Sequence, residues 1–141
     1  FSRSLKLNGS LSYVKGDENE TYGPMPSISP IFGTISGEYT KDKIKISALY
    51  KFSGDKSPKD YSLGGEDGLE ETPVITENSN GIIYAGTPKW SDFSIYTNYD
   101  ISEDVKIRIA LTNIFDNHYR TFASGISAPG RSFQIGLYLK L

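Results

Sequence analysis

Leu5, Leu7, Gly9, Leu11 and Tyr13 fall on one side of a two-residue period, with Lys6, Asn8, Ser10 and Ser12 on the other. The rhythm returns at Ile31, Gly33, Ile35, Gly37 and Tyr39, and again at Ile44, Ile46, Ala48, Tyr50 and Phe52. It continues through Phe93, Ile95, Thr97, Tyr99 and Ile101, then Val105, Ile107, Ile109 and Leu111. The last segment is the cleanest: Phe133, Ile135, Leu137, Leu139 and Leu141 against Ser132, Gln134, Gly136, Tyr138 and Lys140. Alternation of this kind turns successive side chains to opposite faces of a strand. Six strands are predicted, at about 3–13, 31–39, 43–52, 90–101, 105–115 and 131–141. No comparable stretch has a helical period, so the fold class is all-β: an antiparallel up-and-down meander.

The connections alternate as well. Segments 40–42 and 102–104 are short polar turns, while 14–30, 53–89 and 116–130 are long and polar. In a meander this puts every long loop at one end. Structureless loops beyond ~15 residues are uncommon in compact soluble domains, whereas outer-membrane barrels pair short periplasmic turns with long extracellular loops. The aromatic residues point the same way. Tyr13, Tyr39, Tyr50, Phe52, Phe93, Tyr99 and Phe133 lie near strand ends on the apolar faces, with Trp90 a further anchor, and aliphatic residues fill the middles. Amphipathic rings sit best at headgroup depth, so two aromatic girdles around an aliphatic band suit a bilayer. The opposite faces, with Lys6, Lys45, Lys51, Asp92, Lys106, Arg108, Gln134 and Lys140, suit a watered or protein-plugged lumen.

Composition narrows the field. With 15 basic and 17 acidic residues among 141, the net charge of −2 argues against a globally basic nucleic-acid binder. No apolar run is long enough for a spanning helix, which leaves a barrel wall open. Cysteine is absent, which removes disulfides and thiolate metal sites. The chain begins Phe1-Ser2-Arg3, without Met or a signal pattern, and six strands are too few to close a barrel. An open sheet in lipid would leave unpaired backbone edges, so a larger wall is expected.

From Thr87 onward the chain resembles the C-terminal barrel strands of TonB-dependent outer-membrane receptors. The matching residues are Thr87-Pro88-Lys89-Trp90, then Asn113-Ile114-Phe115-Asp116-Asn117-His118-Tyr119-Arg120, then Pro129-Gly130-Arg131-Ser132-Phe133 leading into Gly136-Leu137. In that family an Asn-Leu-Phe-Asp-x-x-Tyr run ends the penultimate strand and Pro-Gly-Arg opens the last. The first 86 residues fit by strand and loop rhythm and by the loop Gly23-Pro24-Met25-Pro26. The resemblance implies the last six of 22 strands, in the outer membrane of a Gram-negative bacterium. It implies energy-coupled uptake of a scarce nutrient: an iron chelate, a cobalamin, a glycan or a peptide. The implied partners are outer-membrane lipid, the N-terminal remainder of the barrel with its plug, and a TonB-type energy-transducing protein. Leu141 departs from the family's usual terminal aromatic, which affects the signal read by barrel assembly rather than membrane placement. The alternatives are a passive porin-like or structural barrel and, further off, a soluble ligand-binding β module.

The motif also has a local physical reading. Asp116 and Asn117 suit a turn where the strand leaves the sheet, because their side chains bond nearby backbone. Pro129 and Gly130 fit the central positions of a type II turn, and Tyr119 is a plausible interface anchor. Catalysis finds no constellation: His118 beside Asp116, with Ser124 and Ser127 near in sequence, lacks a positioned nucleophile and supporting group. Asp17, Glu18, Asn19 and Glu20 lack calcium-loop spacing. Gly64, Gly65 and Gly68 do not lead from a strand into a helix, so they form no phosphate cradle. No enzymatic activity, cofactor or metal is expected. Segment 53–88 is acidic, with Asp55, Asp60, Glu66, Asp67, Glu70, Glu71 and Glu77 against Lys56 and Lys59. That reads mainly as a solubilising rim.

Overall fold

The computed structural model describes residues 4–16, 23–79 and 81–140. Phe1 to Arg3, the acidic cluster beginning at Asp17, and Leu141 lie outside the described residues.

Eight strands form: β1 Leu5–Ser12, β2 Phe32–Lys41, β3 Ile44–Ser53, β4 Val74–Asn78, β5 Gly81–Tyr84, β6 Trp90–Asp100, β7 Val105–Thr112 and β8 Ser132–Leu139. Six of them make one antiparallel sheet in the order β1-β2-β3-β6-β7-β8, and β4 pairs with β5 separately. The all-β meander expected from the alternation is therefore present, with β1 and β8 as its edges. The strands of this sheet are 8 to 11 residues long, close to the ~9–11 of a tilted bilayer-crossing strand. Two single 3-10 turns, Pro58–Asp60 and Leu69–Glu71, are the only helical pieces among the described residues.

The register keeps the alternating apolar sets of all six strands on one face, with Phe32, Leu49 and Ala110 as exceptions on the other. Leu7 faces Gly37, which faces Ala48, which faces Ile95; Ile95 faces Leu111, and Leu111 faces Phe133. A one-residue slip anywhere would send a whole strand's apolar set to the polar side. Gly33 shows how closely the apolar face packs. A β-carbon there would lie 2.5 Å from the Ser10 carbonyl oxygen and 2.9 Å from the Phe52 ring, which covers this position.

Burial is inverted relative to a soluble sheet. Among the described residues only Tyr61 and Ala110 are buried hydrophobics, whereas Ser53, Lys56, Asp67, Thr87, Asp92, Ser94 and Asn113 are buried polar groups. Leu7, Ile35, Ile135 and Leu137 are each more than half exposed. Among the described residues no second layer covers the apolar face. The polar face is cross-braced instead: Lys45 pairs with Glu38 at 2.7 Å, Lys51 with Asp92 at 3.1 Å and Lys106 with Asp100 at 3.1 Å. Arg108 donates to Asn98 Oδ1 at 2.9 Å and lies over the Tyr138 ring.

The structure departs from the sequence expectations in a few places. The first hairpin is tighter than expected, turning on Asp42 (φ 50°) and Lys43 alone, so β2 runs on to Lys41. Strand β7 stops at Thr112 rather than 115, because Asn113 takes a left-handed φ of 47°. The 53–89 segment is not structureless, since it holds the β4/β5 hairpin and both 3-10 turns. Trp90 leaves the apolar girdle. It pairs with Ser53 on the face of Lys51 and Asp92, two residues away along β6.

Candidate functional site

The described parts of the three long connections, 13–16 with 23–31, 54–79 with 81–89, and 113–131, lie at one end of the sheet and are joined by side-chain hydrogen bonds, with Asn117 and Tyr119 reaching β6. Asn113 is the hinge. Its left-handed backbone turns the chain out of β7, a conformation Asn tolerates better than most residues. The side chain then closes the turn: Nδ2 donates to the carbonyls of Asn117 and Pro129, both at 3.0 Å, and Oδ1 accepts the Asn117 N–H at 3.0 Å. Asn117 Nδ2 donates to the Ser91 carbonyl at 2.8 Å. Asp116, also left-handed, accepts the Arg131 N–H at 2.7 Å, with the Arg131 guanidinium 3.8 Å away.

These bonds hold both ends of the 113–131 loop together. Gly130 does not take a positive φ, so the type II turn expected at Pro129 and Gly130 is not formed. The Asp116 carboxylate and the Asn113 amide steer the chain into β8 instead, and the Pro129 carbonyl serves as an acceptor.

The loop next folds inward. Tyr119 stacks on Trp90 with ring centroids 4.2 Å apart, and its hydroxyl donates to Asp92 Oδ2 at 2.9 Å. Burial, helped by the hydrogen bond and charge of Asp92, pushes the Tyr119 phenol up to about 12. It therefore stays a donor throughout the physiological range. Phe115 goes the other way and stacks on Phe93 at 6.1 Å on the apolar side. Tyr50 and Phe52 stack at 6.0 Å in the same outer row. Phe133 lies at the same end of β8, whereas Tyr39 and Tyr99 lie toward the turn end. The register thus places six of the girdle candidates on the apolar face and Trp90 on the opposite one, while Tyr13 follows the end of β1.

Of the lumen candidates, Lys45, Lys51, Lys106 and Arg108 are engaged by neighbouring strands, as is Asp92. Lys6 and Gln134 share their face, opposite Glu38 and Ala110 respectively, and Lys140 follows β8.

Beneath the 54–89 loop lies a small mixed core that alternation does not reveal. Lys56 Nζ bonds Asp67 Oδ2 at 2.8 Å and the Ile28 carbonyl at 2.7 Å. It also sits over the rings of Phe122 and Tyr61, 4.2 and 4.9 Å from their centroids. The two charged side chains are only 5% and 1% exposed. Burial raises the Asp67 carboxyl, but the Lys56 ammonium and the Ser27 and Ser62 N–H groups outweigh it and hold the group below its ordinary value. Tyr61 bonds Thr87 Oγ1 at 2.6 Å, and burial pushes its phenol up.

A cleft of about 200 Å³ opens between the second and third loops, lined by Glu71, Lys89, His118, Arg120 and Ser124 among others. Arg120 is already engaged there, donating to the Glu71 carbonyl at 2.8 Å. Among the described residues no group of three or more His, Asp or Glu side chains converges as a metal site. His118 and Ser124 both line the cleft.

The chain is similar to a solved structure, the copper transporter OprC, with a TM-score of 0.70 and 18% sequence identity. The likeness covers 99% of this chain but 21% of that one, so the chain spans about a fifth of its neighbour's length. No protein-family model matches the chain, and no curated protein matches it. The likeness establishes the fold: an antiparallel sheet of the kind found within a transporter.

Proposed function

We propose that this chain is part of the wall of an outer-membrane transport barrel of the TonB-dependent class, contributing its C-terminal strands and outer loops. The observation that carries the reading is the exposed apolar face. Six strands present aliphatic residues edged by aromatics with nothing packed on them, while charge pairs brace the other face. In water, an unpacked apolar surface of this extent would drive association. Against lipid it is the required surface, and the braced face becomes the lumen wall. The unpaired edges of β1 and β8 then continue into the remaining strands, since a bilayer excludes open sheet edges.

In this reading the chain is not catalytic. It lines the pathway, its loops help capture a scarce nutrient, and a plug moved by a periplasmic energy-transducing partner gates passage. The neighbour's name gives copper as its cargo. For this chain the proposed cargo is a scarce nutrient of the class of iron chelates, cobalamins, glycans or peptides. The outer membrane of a Gram-negative cell is the proposed location.

The test uses the full-length protein. It is expected to fractionate with outer membranes and to migrate differently on SDS gels before and after boiling. Recovery as a soluble, detergent-independent monomer would contradict the proposal. A passive barrel would instead show uptake that survives loss of the energy-transducing partner.

A further inference from the structure

Lys56 ties together segments that are far apart in sequence. Its ammonium reaches the Ile28 carbonyl in the first long loop and Asp67 in the second, and it lies against Phe122 from the third. Asp67 repeats the pattern: Oδ1 accepts the Ser27 N–H of the first loop at 2.7 Å, and Oδ2 takes Lys56. The backbone at Lys56 is pinned too, exchanging hydrogen bonds with Thr87 at 2.9 and 3.0 Å. Tyr61, packed edge-on against Phe122 at 6.0 Å, bonds the Thr87 side chain. Among the described residues, the oxygens and rings that the ammonium engages, from Ile28, Asp67, Tyr61 and Phe122, all belong to the three loops rather than to strands of the main sheet.

We infer that the three long loops form one preassembled cap, latched by the buried Lys56 ammonium, which opens as a single unit rather than loop by loop. The physical reason lies in desolvation. A buried charge that loses one partner is left uncompensated at large cost. Withdrawing the first loop strips Lys56 of a carbonyl and Asp67 of an N–H. Withdrawing the third uncovers the cation and lets water compete for Asp67. Each departure weakens the seat of the other two, so partial opening is disfavoured and concerted opening is left. The Arg120 bond to the Glu71 carbonyl joins the second and third loops again at a distance from the latch. The inference depends neither on the cargo nor on energy coupling.

The experiment is amide hydrogen exchange on the full-length protein in detergent micelles, read at one reporter per loop. Ser27 N–H bonds Asp67, Thr87 N–H bonds the Lys56 carbonyl, and Ala128 N–H bonds the Tyr119 carbonyl at 2.8 Å. In the wild type all three are expected to open with one equilibrium constant. Values more than about tenfold apart, beyond what one shared opening allows, would overturn the inference. Lys56→Met removes the ammonium without touching the Ser27 or Ala128 hydrogen bonds. It is expected to lower protection at both by a common factor of roughly a hundredfold or more, with the amides of β7 and β8 unchanged. Loss confined to the 54–89 loop, with Ala128 still protected, would refute the latch. The wild-type comparison decides the matter even if the variant does not assemble.

Discussion

Replacing Asn113 with alanine removes three side-chain hydrogen bonds at once, two to carbonyls and one from an N–H, each at 3.0 Å. At about 1 kcal/mol net per bond the loss is about 3 kcal/mol, and groups left buried without partners raise it further. Alanine also has to hold a φ of 47°, which costs roughly 1–2 kcal/mol for a residue with a β-carbon. Asn113→Gly separates the two effects, because glycine loses the same bonds without the left-handed penalty. The reporter is the Arg131 N–H, which bonds Asp116 rather than Asn113 and so reads closure of the loop indirectly. Hydrogen exchange on the full-length protein is expected to show Arg131 protection falling roughly a hundredfold in Asn113→Gly and about tenfold further in Asn113→Ala, taking 1.4 kcal/mol per decade. Protection at Arg131 unchanged within twofold in both variants would refute the hinge role.

Other substitutions test other layers. Ile135→Lys puts a charge on the exposed apolar face and is expected to destabilise the folded protein in lipid vesicles by about 2–4 kcal/mol if near the midplane. Gln134→Lys on the opposite face is expected to change the urea midpoint little. Gly86→Ala combines a φ of 77° with a β-carbon driven into the Lys56 carbonyl oxygen and Pro58, so the Lys56 and Thr87 amides are expected to lose protection. The Tyr119 phenol, raised to about 12 from an ordinary 10, contributes stability that is complete below pH 10 and lost as pH rises through 12. The phenolate difference titration between wild type and Tyr119→Phe is expected to show one such late tyrosine. Asp67 has the opposite sign. Held below its ordinary value of 3.8 by Lys56 and by the Ser27 and Ser62 N–H groups, it supports the cap above that value and releases it only as pH falls through the lowered pKa. Loop protection that collapsed above pH 4 would contradict this.

The strands were readable because a sheet with one apolar and one polar face writes a two-residue period into the chain. What escaped was structure without that period. In β4 and β5 the apolar residues are adjacent, Val74 with Ile75 and Ile82 with Ile83, and an irregularity between Val74 and Thr76 breaks the alternation further. The nearest sequence cue is the Asn78-Ser79-Asn80-Gly81 stretch, a cluster of turn-forming residues. Residue type and position near a strand end put Trp90 in the girdle, whereas its parity with Asp92 puts it on the polar face. The Asn113 hinge was visible as a motif, but its bond to Pro129, 16 residues on, was not. The Lys56 and Asp67 pair had no local signature. It lies in an acidic loop where many carboxylates compete, and only packing of Tyr61, Phe122 and the 27–28 backbone selects one of them.

The central claim is that lipid, not protein or water, covers the apolar face. The 141 residues contain no cysteine, so with any cysteine elsewhere in the full-length protein replaced, spin labels can be attached one at a time along β8 in the protein reconstituted in bilayers. The measurement is accessibility to oxygen, which partitions into lipid, against accessibility to a water-soluble paramagnetic reagent. The account predicts a two-residue alternation, with Phe133, Ile135, Leu137 and Leu139 oxygen-rich and Ser132, Gln134, Gly136 and Tyr138 oxygen-poor. Uniform accessibility, or the opposite phase, would contradict it.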